Sequence, residues 1–211
     1  MEKGLSAAPR GRPRAFDRDA ALRKAMLVFW ERGYEGTSIG DLTAALGIAK
    51  PSLYAAFGCK EELFREAVAL YDRVEGAGAE ASLETAPTAR SAVDAMLRAN
   101  AEAGTCPDKP SGCMIIMAAL LGTAESRPVR EHLAGLRRKA QIALEDRFER
   151  SIRDGDLPST ADPAALAAFY STVLQGLSIQ ARDGASRYTL LRVVDDAMAA
   201  WDVLAGVGGA K

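Results

Sequence analysis

One histidine, His132, stands among 211 residues, beside only three cysteines. So few imidazoles and thiols leave no cluster with metal-ligand spacing. No phosphate-cradling loop, nucleophile elbow or paired acid/base arrangement is present either. These absences argue against an enzyme, and no metal or cofactor is expected. An odd cysteine count also argues against a secreted disulfide framework. No apolar run approaches a membrane span, and residues 1–14 lack the apolar centre of a signal peptide. A cytoplasmic protein with no membrane partner is the expectation. Aromatics are scarce, at 6%, while alanine is abundant. That balance favours helices over sheets and predicts an all-α chain, long enough for one or two domains with a real core.

The charge that is present is unevenly placed. Overall the chain carries −1, but residues 1–60 hold ten basic and six acidic residues, a net of +4, and the remainder carries −5. A basic front and an acidic rear suggest that the front approaches nucleic acid. Residues 1–14, with Arg10-Gly-Arg-Pro-Arg14, read as a flexible basic arm. Such an arm either lies in a minor groove or simply adds positive charge.

The most informative stretch is 37–57, TSIGDLTAALGIAKPSLYAAF. Ser38 with Asp41 three residues on resembles a capping box that starts a helix. Leu42, Ala45 and Leu46 share one face. Gly47 stops the helix, because glycine takes left-handed backbone angles at little cost. Ile48 is an apolar plug, and Pro51 suits the first turn of a second helix. Leu53 and Phe57 give that helix a buried side, leaving Lys50, Ser52 and Tyr54 outward. Two short helices around a glycine turn describe a helix-turn-helix, whose second helix enters the major groove. Small outward residues permit close approach, and a few longer ones reach phosphates and base edges. An ordinary helical hairpin is the bland alternative. Ahead of this unit, Asp17 or a residue near it caps a first helix with Leu22, Ala25, Met26 and Phe29 at helical spacing, closed by Gly33. Its Arg18, Arg23 and Lys24 are either phosphate contacts or solvated charge.

With its flanks FDRDAALRKAMLVFWERGYEG and GCKEELFREAVALY, this stretch resembles the TetR family of bacterial transcriptional regulators. Ala25, Phe29, Gly33, Tyr34, Gly36, Thr37, Ile39, Leu42, Gly47, Ile48, Leu53, Tyr54, Phe57, Lys60, Glu61, Leu63 and Phe64 carry the likeness, which is specific over residues 16–71. The PSLYAAFG variant resembles a subgroup sharing that recognition helix. Two residues depart from the family pattern: Ala49 and Cys59 stand where a polar helix cap is usual. The resemblance implies a three-helix DNA-binding head over residues 15–60 and a helical ligand-binding and dimerisation domain over 61–211. It implies a homodimeric repressor, responsive to a small molecule, on a palindromic double-stranded DNA operator. Thr37, Ser38, Lys50, Pro51, Ser52, Tyr54 and Lys60 are the candidate DNA contacts.

Beyond the head, a long helix is expected from Cys59 to about Glu84, with Leu63, Ala67, Leu70 and Val74 on one stripe and Phe64 and Tyr71 on another. Gly76 and Gly78 weaken its far end and predict a kink or fraying there. A break with Pro87 and a helix over 91–103 follow, then a loop over 104–112. The run Cys113–Leu121 is apolar all round, which predicts a buried helix. Three further helices begin near Pro128, Pro163 and Ser186. Met96, Met114, Met117, Phe148 and Tyr170 are candidates to line an adaptable pocket for an apolar or aromatic ligand. Phe169, Val173, Leu177, Val194, Met198 and Trp201 are candidates for the dimer interface implied by the resemblance. Core filling is the competing reading for both sets. A thiol-based response is an alternative to the small ligand. Cys59 sits at a helix N-terminus beside Lys60, and Cys106 and Cys113 flank a loop that a disulfide could close. A helical adaptor that has lost its operator is the remaining rival.

Overall fold

The computed structural model describes residues 17–207, so the basic arm expected over 1–14 lies outside the described residues. Within them the regular elements are all helices. Its helices are α1 (Arg18–Arg32), α2 (Ile39–Leu46), α3 (Lys50–Phe57), α4 (Lys60–Tyr71), α5 (Ala77–Thr85), α6 (Ala89–Gly104), α7 (Met114–Met117), α8 (Arg127–Arg153), α9 (Pro163–Arg182), α10 (Arg187–Ala199) and α11 (Trp201–Leu204).

The local signals act where they were expected. The Asp17 carboxylate accepts from the Ala20 N–H at 3.0 Å and starts α1. Asp162 and Ser186 do the same for α9 and α10. Thr88 and Ser91 form a reciprocal capping box, so α6 begins at Ala89, two residues before the expected start. The kink expected around Gly76 and Gly78 is a π-helical segment, Asp72–Gly76, joining α4 to α5. Its wider i→i+5 bonding shifts the register by about one residue. Val74 therefore leaves the stripe begun by Leu63 and Leu70 and is exposed. The run after Cys113 is also corrected. Helix α7 stops at Met117, the Ala118 carbonyl turns to accept from the Tyr34 N–H at 2.7 Å, and Leu120 and Leu121 emerge into solvent.

Two hydrophobic cores result. The front core joins α1–α4 to α7 and the first turns of α8. Phe29 is its centre, edge-on to Phe64 at 5.0 Å, while Tyr34 meets Phe64 at 5.1 Å and Trp30 meets Tyr71 at 4.8 Å. Each such aromatic pair adds about 0.5–1.5 kcal/mol beyond its buried area. The rear core gathers α6, the second half of α8, α9, α10 and α11 around Tyr170, Phe148 and Trp201. Two arginines of α8 clamp the end of α5. Arg147 donates to the Ala86 carbonyl at 3.2 Å and Arg150 to the Leu83 carbonyl at 3.1 Å.

Candidate nucleic-acid interface

Helix α2 opens with the expected capping box. Ser38 Oγ accepts from the Asp41 N–H at 3.0 Å, and Asp41 Oδ2 accepts from the Ser38 N–H at 2.8 Å. The Ser38 hydroxyl also donates to Asp41 Oδ2 at 2.6 Å, and this bond, followed by that from the Ser38 N–H and by Arg32, holds the Asp41 carboxyl below its usual range. Arg32 Nη1 lies 2.5 Å from Asp41 and ties the end of α1 to the start of α2. Gly47 then takes the left-handed conformation, φ 71° and ψ 34°, with its N–H on the Thr43 carbonyl at 2.9 Å. A β-carbon there would strain the turn. Ile48 packs against the front core as the plug.

Leu53 and Phe57 are buried and fix the rotation of α3. Lys50, Pro51, Ser52, Tyr54 and Ala55 consequently share its exposed side. Lys50 Nζ lies 5.8 Å from the centre of the Tyr54 ring, so the two longest groups of that side meet. Ala49 provides no side-chain cap to α3. The far end of α3 is braced by Arg18, whose Nε donates to the Ala56 carbonyl at 3.2 Å and whose Nη2 pairs with Glu66 at 2.7 Å. Its guanidinium also covers the Phe57 ring, 4.6 Å from the centroid. Arg18 is therefore a brace between α1, α3 and α4. Arg23 and Lys24 are exposed and have no ion-pair partner among the described residues.

Of the other candidate DNA contacts, Ser38 is exposed, although its hydroxyl serves the capping box. Lys60 occupies the first residue of α4, with Nζ 4.2 Å from the Tyr34 ring centre. Partial burial lowers its pKa, against the opposing pull of Glu35. Cys59 caps this helix. Its Sγ accepts from the Glu62 N–H at 3.4 Å, and Glu62 Oε2 accepts from the Cys59 N–H at 2.9 Å. Thr37 requires a correction. It is fully buried, and its hydroxyl donates to the Gly33 carbonyl at 2.7 Å, which leaves no surface for DNA. It holds the turn between α1 and α2. No sequence signal marked Arg18 as a brace, because Ala56 and Glu66 lie 38 and 48 residues away.

The rear candidates separate as well. Leu177, Val194, Met198 and Trp201 are buried within the rear core, so they are not available to a second subunit. Phe169 is exposed and Val173 half-buried; Ile179 and Val193, not anticipated, are exposed apolar residues on α9 and α10. Helical spacing identifies an apolar stripe but cannot say which neighbour covers it. The expected pocket residues do not converge. Met114 belongs to the front core, whereas Met96, Phe148 and Tyr170 belong to the rear core. Tyr170 is sealed there, its hydroxyl donating to the Ala197 carbonyl at 3.3 Å. Met117 is half-buried. All three cysteines are free thiols. Burial pushes the Cys113 thiol up, against the opposing hydrogen bond from Tyr71, which disfavours the thiolate needed for disulfide exchange.

A braced second helix with an open polar side, docked through a left-handed glycine turn, is the geometry of a DNA-reading helix-turn-helix. The family model described as "Bacterial regulatory proteins, tetR family" matches residues 21–67, and the one described as "Tetracyclin repressor-like, C-terminal domain" matches residues 89–189. The chain belongs to the TetR family. This TetR regulator is 36% identical to the HTH-type transcriptional repressor ComR of Escherichia coli K12, across 92% of its own length and 93% of that protein. It is 32% identical to the uncharacterized HTH-type transcriptional regulator YezE of Bacillus subtilis 168, across 91% and 100%. Among solved structures it resembles a cysteine mutant of the TetR family transcriptional regulator CifR complexed with 26-bp double-strand operator DNA. Identity is 50% and the TM-score 0.87, over 90% of this chain and all of that one.

Proposed function

We propose that this TetR regulator is a homodimeric repressor that grips a palindromic operator with two copies of its head and lets go when a small apolar or aromatic molecule binds the rear domain. The observation that carries the DNA half is the rotation of α3. Leu53 and Phe57 lock one side inward, and Lys50, Ser52 and Tyr54 face outward together. Pro51 at the first turn and the uncapped N–H groups beside Ala49 suit a phosphate oxygen. Ser38 and Lys60, at the starts of α2 and α4, extend the same contact.

Dimerisation is needed for selectivity, because one short helix reads too few bases to define a genomic site. Phe169 and Val173, extended by Ile179 and Val193, form the proposed surface for the second copy. The ligand acts by favouring the dimer whose heads no longer match the operator, and its leverage equals its affinity difference between the two states.

The test is selection of binding sites from random duplex DNA by the purified protein, followed by affinity measurements at several salt concentrations. Selective binding to an inverted repeat that weakens steeply with salt is the expected result. A pool that returns no enriched site would leave a helical adaptor in place of a repressor.

A further inference from the structure

The last four carbonyls of a helix have no partner within it. At the end of α1, the Phe29 carbonyl accepts from the Gly33 N–H at 2.8 Å. The next two, of Trp30 and Glu31, are met from the far end of the chain. Arg182, the final residue of α9, donates through Nη2 to the Trp30 carbonyl at 3.2 Å and also to the Glu31 carbonyl. Its Nη1 donates to the Ser111 carbonyl at 3.3 Å and lies 3.6 Å from the Glu31 carboxylate. One guanidinium thus joins the DNA-reading head, the loop after α6 and helix α9.

The loop makes the joint stiff. Trp30 Nε1 donates to the Gly112 carbonyl at 3.0 Å in a buried bond. Gly112 has φ +74°, and a β-carbon on it would lie 2.7 Å from the Ser178 carbonyl oxygen of α9. Gly104, at the loop's other side, would bring a β-carbon to 3.3 Å from that of Ala181. The loop is therefore pressed between α1 and the last turns of α9. A second, separate attachment lies beyond α1, where the Tyr34 N–H meets the Ala118 carbonyl and Glu35 accepts from the Thr123 N–H at 3.1 Å. Loss of the Arg182 contacts leaves this attachment, the Trp30–Gly112 bond and the shared front core in place, but removes the side-chain tie between the end of α1 and α9 that fixes their angle.

Helix α9 also carries Phe169, Val173 and Ile179. We infer that Arg182 is a positioning residue which fixes each head to the helix that meets the second copy, and so sets the half-site spacing that the dimer selects. This rests on the homodimeric operator-binding reading above. A 20-residue helix is a rigid rod of about 30 Å, so an angular change at its end moves the head along the DNA. A spacing error is severe because half-sites must sit about one helical turn, or a multiple, apart on the same face of the duplex.

The experiment uses the full chain and the inverted repeat selected from random duplexes. Affinity is measured on duplexes whose half-sites are moved apart or together by one and two base pairs, and on a single half-site. The wild type should prefer one spacing by about tenfold or more, a typical coupling strength. Arg182→Ala should flatten that preference to within about threefold while binding the single half-site as the wild type does. Uniformly weaker binding with the spacing preference intact would overturn the inference. Trp30→Phe keeps a ring against Tyr71 but removes the bond to Gly112 together with part of the buried indole, so it serves if Arg182→Ala does not fold. It should flatten the preference in the same direction, and an unchanged preference in it would also overturn the inference. If the wild type binds no duplex selectively, the operator-binding reading fails, and this inference fails with it.

Discussion

The two cores of this protein are built by different means. The front core is shaped by signals that act within a few residues, namely a capping box, a left-handed glycine and a proline in a first turn, and is closed by longer-range ring contacts such as Phe29 with Phe64. The rear core rests on contacts between segments far apart in sequence, such as Tyr170 with Trp201 and Arg147 with Ala86. Local signals specify a shape that must be presented to DNA. Long-range packing specifies a scaffold whose outer faces are free to serve a partner or a ligand.

Substitutions at matched core positions test this contrast most strongly. Phe29→Ala should cost about 3–5 kcal/mol and Leu177→Ala about 2–5 kcal/mol of stability, read by chemical denaturation. Leu177→Ala should leave the subunit association constant of the folded protein unchanged in sedimentation equilibrium, because Leu177 is internal. Weakened association without loss of stability would return Leu177 to the interface.

A smaller effect separates two head residues that look alike in the sequence. Lys50→Ala should weaken operator binding across all sequences and reduce the slope of log affinity against log salt by about one, as for a phosphate contact. Thr37→Val should leave that slope alone and instead lower the melting temperature, since it removes the buried bond to Gly33 at a cost of about 1–3 kcal/mol. Equal salt slopes in Lys50→Ala and wild type would remove Lys50 from the phosphate contacts.

Helix capping should give about 1 kcal/mol. Cys59→Ala removes the acceptor for the Glu62 N–H, while Cys59→Ser keeps one. Thermal melts should rank Ser at or above Cys, with Ala lowest. An Ala variant as stable as the wild type would show that the thiol does not cap.

The mildest effect concerns pH. Desolvation, followed by the nearby Arg65, lowers the His132 pKa below its ordinary value of 6.5, against Glu61. The unfolded chain then binds the proton more readily than the folded one. Stability should fall as pH drops through the ordinary histidine range and level off below the folded-state value. His132→Gln should remove this part of the pH dependence, as followed by denaturant midpoints between pH 8 and 5.

How legible each region was follows from the same contrast. The turn at Gly47, the cap at Ser38 and the outward side of α3 are readable because each depends on a spacing of a few residues. The burial of Thr37 escaped because its acceptor is a backbone carbonyl, which carries no residue identity. The π segment was anticipated only as a weakness at glycine, and its register shift is what exposes Val74. Four proposed interface residues proved internal because an apolar stripe on α9 or α10 is equally suited to a neighbour within the chain and to one outside it.

By itself the sequence determined the helical class, the basic front, the starts and stops of the head helices and the side of α3 that faces outward. Those properties depend on backbone freedom, side-chain period and caps within one or two turns. Only the tertiary structure decided that Arg18 braces α3, that Met114 and Tyr170 lie in separate cores and that Arg182 meets the end of α1. Those pairings join residues tens to more than a hundred positions apart. Their geometry exists only after whole helices have packed, and no short-range pattern encodes it.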